Sequence, residues 1–210
     1  RDRSPSRGLG DVYKRQHLPS LDLSWVDQNA LLLPQVAQGL KRPKFDSLYS
    51  LSWYRQPYRH WISQWKFQQH HAAGELLCQL LYQRAILYQQ QGGPLPDCIS
   101  YTPVSNQRLQ ERGFNQAKLL AQQLARAWHK PCVSLFQSPD LVPHQIGLKR
   151  KERLANLKGK IQLQERPLPA HITLVDDVIT TGATLDYLSA LLKAKGVQTV
   201  SVWTLAITRA

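Results

Sequence analysis

Hydrophobic residues recur along this chain with two alternating periods, which indicates strands separated by helices. Short apolar runs with strand character cover residues 45–54, 97–104, 131–136, 172–175 and 197–207. Helical spacing of apolar residues covers residues 58–67, 76–87, 114–128 and 185–195. Strands that alternate with helices build parallel sheets with right-handed crossovers. The pattern therefore predicts an α/β fold with a central, mostly parallel sheet flanked by helices.

The polar stretches between these elements are predicted to be connections. Residues 105–113 follow a predicted strand and are expected to form a loop at its carboxyl end. Residues 138–151 form a long, basic connection, and residues 153–157 are expected to add a helical turn. Gly196 follows the last helical pattern, at a position where glycine commonly ends a helix.

The stretch from Ile172 to Thr184, ITLVDDVITTGAT, is the most informative part of the chain. An apolar strand ends there in two carboxylates, and ligands of open α/β sheets bind just beyond such strand ends. Asp176 and Asp177 can accept hydrogen bonds from a vicinal diol or hold Mg²⁺ through water. The residues that follow can offer backbone N–H groups, hydroxyls and a helix N-terminus to a phosphate. They are Thr180, Thr181, Gly182, Ala183 and Thr184. The order predicts a site for a sugar phosphate.

A purely structural interpretation of the same stretch is that the acids cap the strand and that Thr181 and Gly182 form a turn. Asp, Thr and Gly are common in turns and helix caps. A Thr-Gly pair alone favours this interpretation. The complete order of strand, paired acids, small hydroxyl residues and helix favours the ligand site.

Residues 175–184, VDDVITTGAT, resemble the phosphoribosyl-pyrophosphate (PRPP) motif of type I phosphoribosyltransferases. Other segments are similar to the ComF family of competence proteins, which includes GntX-like proteins. These segments are FDSLY at 45–49, KF at 66–67, YTPV at 101–104 and ERGFNQ at 111–116, together with Arg108, Gln145, Arg153 and Asn156. The resemblance covers the chain from about Lys44 to the C-terminus. Thr173 departs from the aliphatic residue that is usual in the motif strand, but a β-branched residue still suits a strand.

This resemblance implies a type I phosphoribosyltransferase-like fold with a flexible hood loop over the site. By position, the pyrophosphate of PRPP would contact Ser105, Asn106, Gln107, Arg108 and Arg112. Arginine suits this role because its planar guanidinium binds phosphate through two hydrogen bonds. The hood would include Lys149, Arg150 and Arg153, which would shield the pyrophosphate or contact nucleic acid. For both groups of residues the plainer interpretation is solvated surface charge.

The resemblance also implies PRPP with Mg²⁺ as the ligand, with Asp176 and Asp177 as the catalytic pair that holds the metal. Two functions then stay open. The first is transfer of the phosphoribosyl group to an acceptor that no residue identifies. The second is a non-enzymatic role in binding PRPP or a nucleotide, in association with single-stranded DNA or with competence and DNA-processing proteins. Fold alone does not decide between them.

The formal net charge of +13, from 27 basic and 14 acidic residues, also permits contact with nucleic acid. Residues 1–16 contribute +3 of it, five basic against two acidic residues, which leaves +10 for the remainder. The remaining charge is densest at residues 149–153 and at Lys41 and Arg42. A site for a polyanionic sugar phosphate needs basic residues as well, so charge does not separate the two functions.

The N-terminal segments do not follow the α/β pattern. Residues 1–16 resemble a translated sequencing adapter and are expected to be foreign to the protein, with a natural tail as the alternative. Residues 17–43 are expected to be irregular, at the position where ComF relatives often carry a four-cysteine zinc module. Cys78, Cys98 and Cys132 are far apart and form no C-x-x-C pair, so neither a zinc ligand nor a disulfide is predicted. Residues 44–210 are expected to form the phosphoribosyltransferase-like domain.

Three further features have simple expected explanations. No apolar run approaches about 18 residues and no signal peptide is visible, so a cytoplasmic protein without membrane insertion is expected. Trp61 and Trp65 lie at helical spacing and are expected in the core, with stacking on nucleic-acid bases as the alternative. His70 and His71 are neighbours that point apart on a helix, which favours a solvated pair over a metal site.

Overall fold

The structure is a computed structural model, and it describes residues 29–40, 42–137 and 161–208. After a 3₁₀ turn at Ala30–Leu32, its elements in chain order are α1 (Pro34–Leu40), β1 (Ser47–Trp53), α2 (Tyr58–Phe67), α3 (His71–Gln90), β2 (Cys98–Tyr101), α4 (Asn106–Arg112), α5 (Gln116–Trp128), β3 (Phe136–Gln137), β4 (Gln162–Leu163), β5 (His171–Val175), β6 (Val178–Ile179), α6 (Ala183–Ala194) and β7 (Thr199–Ile207).

A parallel sheet with the strand order β1–β7–β5–β2 forms the centre of the fold. The short strand β6 also pairs with β7 in parallel. Helices separate the sheet strands along the chain, as parallel pairing requires. The predicted α/β fold with a central parallel sheet flanked by helices is therefore confirmed.

The strands are buried on both faces, which explains their nearly continuous apolar sequences. Every residue of β7 from Val200 to Ile207 is buried, and so is every residue of β5 after His171. Thr173 is fully buried, and its Oγ1 lies 2.7 Å from Ser201 Oγ on the neighbouring strand. This hydrogen bond satisfies the hydroxyl, so the polar residue is compatible with the core.

An aromatic cluster packs the sheet against α3 and α5. Tyr49 of β1 stacks on Trp203 of β7 with ring centroids 4.0 Å apart. Trp128 of α5 and Tyr88 of α3 meet the same indole edge to face, at 5.0 and 5.2 Å. Trp128 also donates from Nε1 to the Ala85 carbonyl at 3.0 Å, which joins the two helices. The cluster gives the sheet a rigid support.

The prediction of a loop over residues 105–113 is wrong, because most of this stretch is the helix α4. Ser105 caps its start by accepting a hydrogen bond from Arg108 N at 3.3 Å, and Gly113 ends it with a φ of 77°. Serine before a helix and glycine after it are standard capping residues. The polar composition of the stretch masked these two local signals.

The strand predicted over residues 131–136 is also largely wrong. Cys132 forms one isolated bridge with Ile99, and the regular strand β3 begins only at Phe136. β3 pairs with β4 in a separate antiparallel sheet. A short apolar run does not by itself distinguish a sheet strand from a buried connection. The predicted connection 138–151 and the turn at 153–157 lie outside the described residues.

The N-terminal part that the structure describes is more regular than predicted. Within residues 17–43, where an irregular segment was expected, α1 forms and buries Val36 and Leu40. Asn29 accepts hydrogen bonds from the backbone N–H groups of Leu31 and Leu48, which ties this segment to β1. The domain boundary at residue 44 stays a prediction, but residues 29–40 pack on the same core.

The tryptophans and histidines near α2 have structural roles. Trp65 is 2 % exposed and Trp61 packs against the core, as predicted. His70 caps α3, with its Nδ1 accepting from Ala73 N at 3.2 Å. His71 lies in the first turn of α3, with its ring 6.2 Å from that of Phe114. Among the described residues, no group of three or more His, Cys, Asp or Glu side chains is placed to hold a metal ion.

Candidate functional site

The two acids occupy a break between β5 and β6. Both strands pair with β7 in one register, since Val175 lies opposite Trp203 and Val178 lies opposite Ala206. The intervening backbone continues this pairing, with Asp176 N donating to Trp203 O at 3.1 Å. On the other side, β2 pairs with β5 only as far as Val175. The acids therefore extend beyond the end of β2, at the carboxyl edge of the sheet.

Hydrogen bonds orient the carboxylate of Asp176. Its Oδ1 accepts from Thr102 Oγ1 and from Asp177 N, both at 2.9 Å. Thr102 is the first residue after β2, and Asn115 Nδ2 donates to its carbonyl at 3.0 Å. No described residue forms a hydrogen bond with Asp176 Oδ2. This oxygen is thus available to a ligand that donates a hydrogen bond.

Lys66 forms an ion pair with the second acid. Its Nζ lies 2.6 Å from Asp177 Oδ2, and the two side chains are 20 % and 13 % exposed. Lys66 belongs to the last turn of α2, 111 positions before Asp177 in the chain. Burial strengthens the attraction between such charges because little water screens them. As with Asp176, no described residue contacts the other carboxylate oxygen, Asp177 Oδ1.

The surroundings of Asp176 oppose its ionisation. Burial of the carboxyl and the adjacent charge of Asp177 raise the pKa of Asp176 to about 7, although part of the residue remains exposed to the cavity. Lys66 and the hydrogen bonds from Asp177 N and Thr102 act in the opposite direction. Two carboxylates side by side cannot both ionise cheaply, and Lys66 is bonded directly only to Asp177.

The predicted phosphate cradle forms the start of α6. Gly182 precedes this helix with a φ of 68°, a value that glycine adopts without strain, and no side chain caps the helix there. Ala183 N lies 3.4 Å from Thr181 Oγ1, a long contact. The first turn of α6 therefore presents backbone N–H groups and the positive end of the helix dipole. A small concavity beside it is lined by Asp176 and by residues 178–185.

Two guanidiniums line a cavity that Thr180 and Thr184 of this cradle also line. Arg108 and Arg112 project from α4, and neither forms an ion pair with a described carboxylate. Burial and the neighbouring charge of Arg108 lower the pKa of Arg112. The Arg112 guanidinium lies 5.6 Å from the ring centroid of Phe67, and its Nη1 donates to Gln116 Oε1 at 3.4 Å. The charges of Asp177 and Glu111 act in the opposite direction on Arg112, but neither acid forms an ion pair with it. Two like charges held close together attract an anion.

The side-chain NH2 group of Gln116 lacks a hydrogen-bond partner in the described part of the chain. Gln116 is 3 % exposed and lies in the first turn of α5, and its Nε2 is buried and unsatisfied. A buried donor without an acceptor costs stability unless a ligand or water satisfies it. Gln116 lines the same cavity as Arg108 and Arg112, so an anion there would also meet this donor.

A cavity of about 320 Å³ brings most of the predicted site together. Its lining includes Ser105, Arg108, Arg112, Asp176, Asp177, Thr180 and Thr184. The adjoining concavity adds Thr181, Gly182 and Ala183. Two predicted contacts do not belong to it: Asn106 and Gln107 are exposed on α4, and Gln107 bonds to Glu111 instead. The predicted hood residues Lys149, Arg150 and Arg153 lie outside the described residues.

Four polar lining residues were not predicted as site residues: Lys66, Thr102, Asn115 and Gln116. Thr102 carried a usable signal, because it follows β2 as Asp176 follows β5, and parallel strands end at one sheet edge. The positions of Lys66 and Gln116 depend on how helices pack, which no local pattern indicates. Asn115 lies inside the helix predicted over residues 114–128, but in the structure it caps α5 by accepting a hydrogen bond from Lys118 N at 3.2 Å.

The acid pair does not offer a complete site for a protein-held Mg²⁺. Carboxylate oxygens are suitable ligands for this ion. However, the pair supplies only two carboxylates, and Lys66 already neutralises Asp177 at 2.6 Å. Three basic side chains line the cavity, Lys66, Arg108 and Arg112, against two acids, which gives a net charge of +1 when both acids are ionised. This balance disfavours a free cation and favours an anion.

Comparison with curated proteins finds clear relatives. The chain is 34 % identical over 173 residues to the DNA utilization protein YhgH of Salmonella typhi, a match that covers 80 % of this chain and 75 % of that protein. It is 36 % identical over 174 residues to competence protein F of Haemophilus influenzae, covering 79 % and 75 %. Competence protein ComFC of Bacillus subtilis matches over 94 residues at 38 % identity, which is 45 % of this chain and 37 % of that protein. No protein-family model matches the chain.

Similar solved structures include adenine phosphoribosyltransferases. The Saccharomyces cerevisiae enzyme aligns with 68 % of this chain and 72 % of its own, at 14 % identity and a TM-score of 0.39. The Trypanosoma brucei enzyme aligns with 80 % of this chain and 84 % of its own, at 11 % identity and a TM-score of 0.41. Similarity at this level supports no inference about the site. In the described part of the chain, no helix is both long and apolar enough to cross a membrane.

Proposed function

The chain belongs to the ComF family, with competence protein F and the DNA utilization protein YhgH among its relatives, and we propose that its cavity binds PRPP. The observation that carries this proposal is that Asp176 lines two adjoining concavities. One of them contains the start of α6, and the other contains Asp177, Arg108 and Arg112. PRPP requires the same three kinds of group, because its ribose carries a phosphate on one carbon and a pyrophosphate on another.

The ribose would lie on the acid pair. Asp176 Oδ2 and Asp177 Oδ1 are contacted by no described residue, so each can accept a hydrogen bond from one ribose hydroxyl. Thr102 and Lys66 hold the opposite oxygens, which fixes the orientation of both carboxylates before the ligand arrives. Preorganised groups of this kind lower the entropy cost of binding.

The two phosphate groups would lie on either side of the ribose. The 5′-phosphate would bind the N–H groups at the start of α6 and the hydroxyls of Thr180 and Thr184. The pyrophosphate would bind the guanidiniums of Arg108 and Arg112 and the unsatisfied Nε2 of Gln116. Asn106 and Gln107, which the sequence assigned to the pyrophosphate, are left out because they are exposed on α4.

If the protein transfers the phosphoribosyl group, this arrangement favours departure of pyrophosphate. The bond between C1 of the ribose and the pyrophosphate oxygen breaks, and its electron pair leaves with the pyrophosphate. The guanidiniums stabilise that added charge, while the acid pair keeps the ribose in place as C1 becomes electron-poor. A lone pair of the acceptor then forms the new bond to C1. When bound with PRPP, Mg²⁺ would neutralise part of the pyrophosphate charge.

Calorimetric titration with PRPP tests the binding proposal. We expect wild-type protein to bind PRPP in buffer containing Mg²⁺, and Asp176→Asn/Asp177→Asn to lose the binding. Asp97→Asn is a matched control, because Asp97 accepts a hydrogen bond from His171 N at 2.8 Å, outside the cavity. If the double variant binds PRPP with the same affinity as the control variant, the proposal is wrong.

Pyrophosphate release separates transfer from binding alone. PRPP is incubated with the protein and a panel of purine and pyrimidine bases and amines. Release with one acceptor that is abolished by Asp176→Asn/Asp177→Asn supports a transferase. The absence of release with all acceptors, combined with PRPP binding, supports a non-enzymatic sensor.

A second candidate function is association with single-stranded DNA. Two observations favour it: the charge of +10 outside residues 1–16, and the name of the YhgH relatives, which refers to DNA utilization. Phosphate contacts by basic residues release counter-ions, so affinity for an oligonucleotide should fall steeply with salt. Fluorescence anisotropy across a salt series measures this slope. An affinity for the oligonucleotide that does not change with salt would exclude binding through contacts with its phosphates.

A further inference from the structure

The ion pair between Lys66 and Asp177 places a cation inside the proposed ribose site. Lys66 Nζ lies 2.6 Å from Asp177 Oδ2, and both side chains are largely buried. An ion pair exposed on the protein surface would contribute little free energy to the binding of a ligand. This pair instead lines the cavity together with Asp176, Thr180 and Arg112.

The charges around the cavity show what this lysine changes. Without Lys66, the two acids would balance Arg108 and Arg112, and the ionised cavity would be neutral. With Lys66 the lining carries one net positive charge. A polyanionic sugar phosphate is attracted to such a cavity, whereas a free divalent cation is repelled from it.

The geometry of the acids leads to the same conclusion. A divalent cation bound directly by this pair would need oxygens from both carboxylates. Asp177 Oδ2 is already bonded to Lys66, and Asp176 Oδ1 already accepts two hydrogen bonds. Among the described residues, no third acid, histidine or cysteine completes a metal site with this pair.

We propose that Lys66 is a built-in counter-cation of the acid pair, so that the protein binds a ribose phosphate without a divalent metal ion. The proposal rests on the proposed function, because it concerns the same cavity and the same sugar phosphate. Lys66 acts here as a positioning residue: its ammonium group neutralises and orients Asp177, whose Oδ1 stays turned to the ligand. A metal ion that accompanies the pyrophosphate of PRPP needs no ligand from this pair.

Two probes of the full chain test the proposal. Ribose 5-phosphate tests the anion site, because it lacks pyrophosphate and so brings no chelating group of its own. Mn²⁺ alone, followed by electron paramagnetic resonance, tests whether the acid pair accepts a divalent cation. The variants are Lys66→Gln, Asp177→Asn and Lys66→Gln/Asp177→Asn. The control is Lys193→Gln, which breaks the ion pair of equal geometry between Lys193 and Asp46, 2.7 Å apart.

The measurements on the wild-type protein do not depend on whether any variant folds. We expect ribose 5-phosphate to bind in EDTA with an affinity within about threefold of that in Mg²⁺, less than half a decade in Kd. We expect no Mn²⁺ binding to the wild type. A strict requirement for Mg²⁺, or wild-type Mn²⁺ binding that Asp177→Asn removes, overturns the proposal.

The variants provide a response that a merely structural lysine would not show. Lys66→Gln should bind ribose 5-phosphate at least about tenfold more weakly in EDTA, the usual size of one lost charged contact. Mg²⁺ should restore part of that affinity, and Mn²⁺ should now bind, because the metal replaces the missing ammonium group. Lys66→Gln/Asp177→Asn should lose the Mn²⁺ site, and Lys193→Gln should behave as wild type. A Lys66→Gln protein that folds but gains no Mn²⁺ site also overturns the proposal.

Failure of the proposed function gives a different result. If ribose 5-phosphate and PRPP both fail to bind the wild type with and without metal, the proposed function is wrong. The Mn²⁺ titrations still decide whether Lys66 excludes a cation from the acid pair, because they need no sugar phosphate.

Discussion

The two ends of the parallel sheet both carry acidic residues beside a lysine, yet they use them differently. At the carboxyl end, Lys66 and Asp177 lie 2.6 Å apart with side-chain exposures of 20 % and 13 %. At the amino end, Lys193 and Asp46 lie 2.7 Å apart with exposures of 29 % and 46 %. The distances are almost equal, so the difference lies in burial and in what else the acids contact.

At the amino end the acids hold the backbone together. Asp46 Oδ2 also accepts from Val200 N at 2.7 Å, and Asp97 Oδ2 accepts from His171 N at 2.8 Å. These bonds fasten the starts of β7 and β5. At the carboxyl end, Asp176 and Asp177 each keep one oxygen that no described residue contacts. An ion pair therefore indicates a ligand site only where the fold leaves acceptors facing a cavity.

The largest expected effect comes from removing the lysine at each end. Lys66→Met leaves Asp177 buried beside Asp176 without its partner, and we expect a loss of about 2 to 3 kcal/mol in the free energy of unfolding. Lys193→Met breaks a more exposed pair and should cost less than about 1 kcal/mol. Urea unfolding near neutral pH measures both. Equal losses would show that burial does not distinguish the two pairs.

The glycines that flank α6 provide a second comparison of the two ends. Gly182 and Gly196 have φ values of 68° and 90°, so alanine is strained at both, by about 1 kcal/mol. A Cβ at Gly182 would also lie 2.7 Å from Leu40 Cδ2, whereas nothing lies within 4 Å at Gly196. We expect Gly182→Ala to cost about 2 kcal/mol or more because of this added contact. Thermal unfolding of both variants checks the ranking, and a greater loss in Gly196→Ala would contradict it.

The third prediction compares the affinity for pyrophosphate after loss of an arginine in the cavity and after loss of an arginine outside it. Arg112→Ala should weaken inorganic pyrophosphate binding about tenfold, or about 1.4 kcal/mol, because a charge-assisted contact is lost. Arg126 is the control: it stacks over Tyr82 at 5.0 Å and does not line the cavity. Calorimetry should give Arg126→Ala the wild-type affinity. Wild-type affinity in Arg112→Ala would remove α4 from the proposed site.

The last prediction concerns the pH dependence of the free energy of unfolding, which changes only gradually from one pH unit to the next. The pKa of Asp176 is raised in the folded protein, from 3.8 to about 7, so the folded state binds more protons than the unfolded state in that range. Stability should therefore fall as pH rises from about 4 to about 7, by at most about 1.4 kcal/mol per pH unit. In Asp176→Asn this contribution is absent. Unfolding of both proteins across this range checks the sign, and parallel pH profiles would contradict it.

Most of the fold was predictable because the four longer strands of the central sheet and the long helices each have their own periodic pattern, whereas the two-residue strands β4 and β6 have none. The helix predicted over residues 58–67 coincides with α2, and the predicted helix at 185–195 differs from α6 by two residues at the start and one at the end. The errors occurred where polar or short segments weaken the pattern. Residues 105–113 are mainly α4, and residues 131–136 are mainly a connection with one bridge to Ile99.

The site was partly predictable for a similar reason. Asp176, Asp177 and the residues that begin α6 are contiguous, so their order could be read directly from the chain. Asn106 and Gln107 were assigned by position in a presumed loop, whereas both are exposed residues of α4 that do not line the cavity. Gln116 could not be predicted, because its importance lies in a missing hydrogen bond that only the packing creates.

The sequence by itself determined the alternation of strands and helices and the placement of two acids and a phosphate cradle after one strand, since these depend on neighbours in the chain. Only the tertiary structure decided which charges meet there. Lys66 lies 111 positions before Asp177 in the chain, yet the last turn of α2 and the acids that follow β5 line one cavity. The guanidiniums of α4 line the same cavity. Long-range packing thus sets the charge of the site, because electrostatic energy depends on distance in space and on burial, and local sequence specifies neither.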